Sequence, residues 1–488
     1  MNLKVLGILI LLLTLYVGMC AATPDTFLKG NNQENLLRRT SLYGILAVGV
    51  AFVIITGGID LSIGSIVCLT GCLLSMFLTV DYRAVGVESI ESIRGDKIEL
   101  RPGVRQYQTG DQIRFSGGIR ADNARVRIVD IEHTGESTTF TVDRSLARRE
   151  SRGRVTTFQK ITTFSASGDA PTIMLAGSDD LQPRDRVTLI SPDEEKEFNL
   201  TVVAAEQQAG GWQLTLNEKL HDEFSMEWVA VPIERSQRMP VVAAVCLTLL
   251  IAVVLGLVHG LLVTKVELKP FVVTLCGLLI YRGMSRWLVA DQVQGFGAEF
   301  PGLRSLATGK LELVSGENAF GIPYPLFIML FVALGAAVLL NKTVWGRYLQ
   351  ALGRNEEAAK YSGIDTHRVT IMAYVICTTL AALGGMLFAL DSNSVSPANF
   401  GNFFELYAIA AAVLGGCSLR GGEGGILGVL IGTAVMRLLY NLIVLLGISG
   451  RLEFAIIGIV ILSGVTADGV IQRLVAWRRT ARDSSAAN

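Results

Sequence analysis

Between Asp81 and Arg238 the chain has no cysteine; all seven lie at positions 20, 68, 72, 246, 276, 377 and 417. That removes a disulfide scaffold and a thiolate zinc site from the most polar third of the protein. Histidine is scarce as well, with four in 488 residues. No HExxH or GxSxG motif occurs, so neither a zinc peptidase nor a serine-hydrolase elbow is present. The nearest approach to a phosphate loop is GLRSLATGKLEL, but Arg304 stands where the first glycine belongs and Leu311 replaces the Ser/Thr. Net charge is missing too: 43 Lys and Arg balance 43 Asp and Glu. There is no basic platform for nucleic acid, and no nucleic-acid partner is expected.

Apolar surface is what the chain has in excess. Half of its residues are hydrophobic, 18% are charged, and the mean hydropathy is +0.46. Such a balance describes an α-helical polytopic membrane protein, since one crossing takes about 20 mostly apolar residues. About ten runs meet that requirement, at 3–22, 41–60, 62–80, 240–263, 270–290, 324–341, 369–390, 405–420, 426–445 and 452–471. Residues 405–420 are short enough for a broken or re-entrant helix, and only GGIDLS separates the second run from the third. The first run has Lys4 before its apolar core but no small-x-small site ahead of Cys20, so an uncleaved first span is expected. Cys68 and Cys72 are one helical turn apart without a third ligand, and read as small apolar filler.

From 81 to 238 the pattern changes. DQIRFSG, ARVRIVDI, TTFTVD, DRVTLI, NLTVV and WQLTLN alternate as half-buried strands do. TGDQIRF at 109–115 matches PRDRVTL at 183–189, and TTFTVDRSL from 138 matches the segment ending at Leu220, all at an offset near 74 (109 to 183). A self-match at constant spacing indicates an internal repeat. The organisation expected is therefore a membrane domain in two parts, 1–80 and 239–473, an inserted all-β domain at 81–238 with modules at about 82–150 and 156–230, and a tail at 474–488. Ten crossings with an inside N-terminus put both termini in the cytoplasm and the insert outside. The basic tail QRLVAWRRTARD marks the inner face.

One short charged segment interrupts the apolar pattern. In LGRNEEAAKYSGI, residues 352–364, Asn355 suits an N-cap, Glu356 and Glu357 lie in the first turn, Lys360 in the last, and Gly363 at the stop. Ala358 and Ala359 leave a small smooth patch in the middle. Taken alone, this is either a cytoplasmic docking helix or an ordinary juxtamembrane loop.

That segment resembles the coupling segment of the monosaccharide permeases of bacterial ATP-binding-cassette importers, the ribose permease family. NLLRRTSLYGILAVGVAFVIITGGIDLSIGSIVCLTG at 35–71, GLLVTKVELKPFVVTLCGLLIYRG at 260–283, GIPYPLFIML at 321–330 and ELYAIAAAVLGGCSLRGGEGGILGVLIGT at 405–433 resemble the family in the same order. The likeness covers about two thirds of the chain and leaves out the insert. It implies a permease in the inner membrane with no cofactor and no ATP hydrolysis of its own. It further implies an ATP-binding subunit, a periplasmic sugar-binding protein, and a second permease copy in a homodimer or heterodimer. Coupling to the ATPase would fall to Gly353, Asn355, Glu356, Glu357, Ala358, Ala359, Ser362 and Gly363.

Asp60 and Ser62, in the glycine-flanked TGGIDLSIG, are candidates for the substrate path because a discontinuous helix frees backbone groups for a polar ligand. The other reading is that Gly57, Gly58 and Gly64 only allow close helix packing. Glu405 and Asn441 match polar positions of the family, and Glu405 equally suits a solvated helix start. Tyr407 stands where relatives often carry Asp, and Arg437 where they often carry Gly. Two alternatives remain: a branched-chain amino-acid permease of the same architecture, and a membrane-anchored envelope or sensor protein using the β domain. A secondary transporter would need more ionisable residues inside the spans.

Overall fold

The structure is a computed structural model. It describes residues 3–449 apart from short stretches, most of them between 85 and 227 and one at 315–318, and only scattered residues from 450 on. The tenth expected span, at 452–471, and the tail therefore lie outside the continuously described residues. The chain forms two compact units, residues 1–79 with 239–488, and Val80–Arg238.

The first unit is helical. Its elements are α1 (Leu3–Ala22), α2 (Pro24–Phe27), α3 (Gly30–Ile55), α4 (Ile63–Phe77), α5 (Val241–Thr264), α6 (Pro270–Leu288), α7 (Pro301–Thr308), α8 (Tyr324–Lys342), α9 (Val344–Arg354), α10 (Glu356–Tyr361), α11 (Thr366–Ser392), α12 (Phe404–Leu414) and α13 (Ile426–Leu445). Among the described residues, α1, α3, α5, α6, α8, α11 and α13 are long and apolar enough to cross a membrane, while α4 and α12 are shorter apolar helices. At 15 residues, α4 rises only ~22 Å, short of the hydrocarbon thickness.

The second expected span, 41–60, is displaced. The helix starts at Gly30 and stops at Ile55. Its early turns carry Glu34, Arg38 and Arg39, which end a hydropathy window, but each charge has a partner. Glu34 accepts from Lys310 Nζ at 3.0 Å and from the Gly321 amide at 2.7 Å, and Asp391 pairs with Arg38 at 3.4 Å and Arg39 at 3.2 Å. Lys310, the lysine of the imperfect phosphate loop, is thereby committed to Glu34.

Helix α5 is apolar all round and buries mainly small residues: Ala244, Thr248, Ala252, Gly256 and Gly260 recur every fourth position. This stripe lies on α11, where Thr378 Oγ1 donates to Ala252 O at 2.8 Å. A Cβ at Gly260 would come within 2.6 Å of Ile371 Cα. Close backbone approach of this kind is how helices associate in lipid, where apolar burial gives no net drive. At the first helix, Met19 packs with Phe27 and Leu438, fastening α1 to α13.

The second unit is all β: β1 (Val80–Ala84), β2 (Val87–Leu100), β3 (Gln112–Ser116), β4 (Arg125–Thr134), β5 (Ser137–Leu146), β6 (Arg154–Thr157), β7 (Gln159–Ser165), β8 (Thr172–Leu175), β9 (Arg186–Ile190), β10 (Glu197–Gln208), β11 (Gly211–Leu216) and β12 (Val229–Gln237). Two short strand pairs belong to the helical unit, β13 (Gln294–Gly295) with β16 (Ser394–Val395) and β14 (Lys310–Val314) with β15 (Phe320–Pro323). Strands β2-β5-β4-β3-β6 close a barrel. The second sheet runs β1-β12-β7-β8-β11-β10-β9, and β12 also pairs with β9, which closes that ring as well.

The two rings share a register. Gln112 faces Arg127 and Ile113 faces Val126 in the first; Arg186 faces Thr201 and Val187 faces Leu200 in the second. Ile128 pairs with Val142 before a one-residue slip to Asp130 and Thr141. Val202 pairs with Leu216 before the same slip to Ala204 and Thr215. Each position of the second set follows its counterpart by 74 residues (112 to 186). The interior follows the pattern: Ile98, Leu100, Ile113, Val126, Ile128, Phe140 and Val142 fill the first ring, and Ile173, Leu175, Val187, Leu200, Val202, Leu214 and Leu216 form the matching part of the second core.

Asp185 ties the second ring together. Its carboxylate accepts the Gln182 amide at 2.6 Å and the Arg235 amide at 2.8 Å while the residue is buried. Asp185→Ala removes the carboxylate that both amides donate to and is expected to cost about 1–3 kcal/mol. Limited proteolysis of the full-length protein should then cut between 156 and 230 faster, with the helical unit unchanged. Unaltered cleavage would show the carboxylate to be dispensable.

Candidate functional site

Two places in the helical unit carry the sequence candidates, and they touch through one strip of backbone. The first is the break between α3 and α4. After Ile55 the chain turns at Gly57 (φ +85°) and restarts as a helix at Ile63. Asp60 and Ser62 are both fully buried there. Asp60 Oδ1 accepts from the Ser62 amide at 2.9 Å and from Ser62 Oγ at 2.6 Å, an Asx turn that starts α4. The other oxygen, Oδ2, is buried with no hydrogen-bond partner. One half of this carboxylate therefore caps a helix, and the buried Cys377 thiol lies against the carboxylate as well.

The break is enclosed by residues the sequence reading did not single out. Thr274 Oγ1 on α6 donates to Ile59 O at 3.1 Å. Tyr374 on α11 places its hydroxyl beside Gly58, 3.0 Å from where a Cβ would stand. His259 on α5 bonds Tyr281 Oη through Nε2 at 2.8 Å, and its ring meets Tyr374 edge-on at 6.1 Å. Asp60 acts electrostatically on His259, Tyr281 and Tyr374. Tyr374 Oη and His259 Nδ1 have no hydrogen-bond partner, like Asp60 Oδ2. Among the described residues, these three unpartnered buried polar atoms from three elements leave the break able to bond hydroxyl groups or water. One sequence signal pointed here: His259 is the sole histidine inside an apolar run.

Glu405 belongs to the same neighbourhood. It is buried at the start of α12, and a Cβ on Gly64 would overlap its Oε2 and the Gly401 carbonyl, so only glycine fits the first turn of α4 at this point. Its burial sets aside the reading of a solvated helix start. Nearby Arg282 donates to Pro397 O at 3.2 Å and Phe400 O at 2.6 Å, holding the segment before α12.

Asn441 is not part of the break. Its Nδ2 donates to Asn32 Oδ1 at 2.8 Å, and Asn32 in turn reaches Phe27 O at 2.9 Å. The amide fastens α13 to the start of α3, a structural task that its position in the chain did not reveal. The two departures from the family pattern come together elsewhere: Tyr407 packs on Tyr43 with centroids 5.6 Å apart, and the Arg437 guanidinium lies 4.8 Å from the same ring.

The second place is the charged segment. Asn355 caps α10, its side chain accepting from the Ala358 amide at 2.9 Å. Glu356 and Glu357 occupy the first turn and Lys360 the last. The Ser362 hydroxyl donates to Ala358 O at 2.8 Å, and Gly363 ends the helix at φ +80° with its amide on Lys360 O at 3.1 Å. The smooth alanine patch divides, since neighbours on a helix point about 100° apart. Ala359 is buried against the bundle, while Ala358, Glu356, Glu357, Lys360 and Tyr361 are exposed. Beside the helix is a cleft of about 460 Å³ lined by Lys265, Lys360, Asp365, His367 and Arg368 among others.

Gly353 joins the two places. A Cβ there would overlap Ile55 O and Gly422 N. The Gly422 amide donates to Ile55 O at 2.8 Å, so the last carbonyl of α3 is satisfied by the turn before α13. Helix α9, that turn and the end of α3 thus meet backbone to backbone, immediately before the break.

Residues 204–464 match the family described as branched-chain amino acid transport system, permease component. With more than half of its residues in that match, the chain belongs to this family of membrane permeases. It is 38% identical over 211 residues to the ribose import permease of Bacillus subtilis (strain 168), covering 43% of this chain and 62% of the relative. It is 35% identical over 229 residues to the ribose import permease of Escherichia coli (strain K12), covering 46% and 68%. With the galactose/methyl galactoside import permease of the same strain it shares 31% over 236 residues, covering 48% and 68%. The chain thus spans roughly two thirds of the length of these relatives, and just under two thirds of the first. No solved structure matches it.

Gly353→Val is expected to force apart the contacts with Ile55 and Gly422, an overpacking cost of about 1–3 kcal/mol. The purified protein should melt several degrees lower, whereas Gly335→Val, at a glycine with no atom within 4 Å of an added Cβ, should not. Equal melting temperatures would remove the junction from the account.

Proposed function

We propose that the chain is the permease subunit of an ATP-binding-cassette importer, forming the path across the inner membrane for a monosaccharide or similar small polar solute. The observation that carries this is the junction at Gly353. Helix α9, which leads directly into the self-capped polar helix α10, is fixed through backbone contact at Gly353 to the end of α3, just before the break that holds Asp60. Rigid contact between a surface helix and a helix break is what a lever needs if motion begins on a separate subunit. The relatives' names support sugar as the cargo, and the buried, hydroxyl-rich break suits a polyol better than a branched aliphatic side chain. The family description keeps the branched-chain amino-acid reading alive, and competition of uptake by leucine rather than by ribose would establish it.

In this reading Gly353, Asn355, Glu356, Glu357, Ala358, Ser362 and Gly363 form the docking element for the ATP-binding subunit, with Ala359 seating it on the bundle. Asp60, Ser62 and Glu405 line the path, joined by His259, Tyr281 and Tyr374. Asn441 is left out. ATP hydrolysis belongs to the partner, a periplasmic sugar-binding protein delivers the solute, and a second permease copy completes the pore. We read the insert as two copies of one barrel module, on the strength of the common register, lying outside the membrane on the side of the binding protein.

Co-expressed with its ATP-binding and binding-protein partners, Glu356→Ala with Glu357→Ala should lower uptake about tenfold, the equivalent of ~1.4 kcal/mol of coupling. Membrane insertion should stay unchanged, because Asn355 still caps the helix. Normal uptake would return the segment to an ordinary loop. Asp60→Asn keeps the Oδ1 cap and replaces the unpartnered oxygen with a donor. Uptake should fall while association with the ATP-binding subunit persists; an unchanged rate and unchanged sugar preference would assign Asp60 to capping alone.

A further inference from the structure

Arg437 is the least explained charge in the helix bundle. It sits just past the middle of α13 and is 8% exposed. Its guanidinium carbon lies 4.4 Å from the centroid of Tyr440 and 4.8 Å from that of Tyr43. Among the described residues its Nε has no hydrogen-bond partner, and no Asp or Glu forms an ion pair with it. The groups that act on it electrostatically are Tyr43, Tyr440, Tyr407 and a further cation, Arg39. Of the carboxylates near this end, Asp391 is already shared between Arg38 and Arg39, and Glu34 is held by Lys310.

A cation inside a membrane protein is costly and normally pairs or serves a pathway. Two aromatic faces offset part of that cost, and neither offers the in-plane oxygen that a guanidinium fork is shaped to meet. The surroundings favour a cyclic or extended polyol at the same time. Tyr43 packs against Phe388 and Phe404 at 5.0 Å and Tyr407 at 5.6 Å, giving an aromatic wall beside the guanidinium. The site is thus short of one negative charge and supplied with surface for a ring.

We infer that the solute carried by this permease bears an oxyanion, a carboxylate or a phosphate on a sugar skeleton, and that Arg437 receives it within the cage of Tyr43, Tyr407 and Tyr440. Arg39 adds positive potential at the same end, which draws an anion toward the cage. A single unpaired guanidinium matches one negative charge, so a sugar carboxylate fits better than a dianionic phosphate ester. This inference rests on the permease reading above and specifies its cargo.

The test is equilibrium binding of labelled D-gluconate, D-ribose 5-phosphate and D-ribose to the purified full-length protein, comparing wild type, Arg437→Lys and Arg437→Gln. Gluconate is expected to bind more tightly than ribose. Arg437→Gln should weaken it at least about tenfold, the scale of one charge-assisted hydrogen-bonded contact, and Arg437→Lys should retain part of the affinity. Ribose binding should be indifferent to residue 437. If ribose 5-phosphate is the anion preferred, the oxyanion site stands and the carboxylate preference falls. Ribose bound as tightly as gluconate, or gluconate binding unaffected in a monodisperse Arg437→Gln protein, overturns the proposal, as does failure of the folded wild type to bind either acid. The coupled-uptake assay judges the permease reading separately. A protein that passes it and takes ribose alone loses the acid assignment and remains a permease. Should Arg437→Gln fail to fold, Tyr43→Phe and Arg437→Lys carry the comparison.

Discussion

A helix that stops inside a bilayer leaves amides and carbonyls that no water can satisfy, and each costs several kcal/mol unless protein encloses it. That constraint governs the helical unit. The stop after Ile55 is tolerable because Gly422 N bonds Ile55 O, Thr274 bonds Ile59 O, and Asp60 receives the Ser62 amide. Two distant parts of the chain, the turn at Gly422 and Thr274 on α6, are therefore committed to one seven-residue interruption at 56–62. Their glycines follow from it, because partners this close leave no room for side chains. So does the burial of α3, whose middle must be covered on every side before its end can be.

Satisfying the break also wires it. The group that completes the last carbonyl of α3 belongs to the turn that presses on Gly353, and Gly353 belongs to the helix preceding the Asn355 cap. The cap of the surface helix at Asn355 is therefore two residues along the chain from Gly353, which packs on the hydrogen bond that completes the break. The same contacts that stabilise an otherwise forbidden backbone thus connect it to the surface, without any further chain of side chains.

Much of the helical unit was legible because long apolar runs leave little choice of structure. The start of α3 was not. Glu34, Arg38 and Arg39 look like the end of a span until Lys310 and Asp391, hundreds of residues away, neutralise them. The break itself could be read from TGGIDLS, and the charged helix from its capping residues, since both signals are local. His259, Tyr281 and Tyr374 could not be assembled around Asp60, because only tertiary packing brings their three helices together. Asn441 stands out because it matches a polar position of the family, and its bond to Asn32, 409 residues away, could not be read from the sequence. In the β unit alternation located six of the twelve described strands, β3, β4, β5, β9, β10 and β11, and the 74-residue offset of the sequence recurs in the pairing registers around Ile128 and Val202.

The pairing of β1 with β12 has a bearing on chain entropy. Val80 is the register partner of Gln237, so the all-β unit begins and ends on neighbouring strands, about 5 Å apart. Joining two helices through a flexible excursion of the length of Val80–Arg238 would cost roughly 4–5 kcal/mol of closure entropy. Once the strands zip, that excursion contracts to the separation of its two ends. To α4 and α5, which touch within the helical unit, the whole of the β unit then counts as little more than a turn.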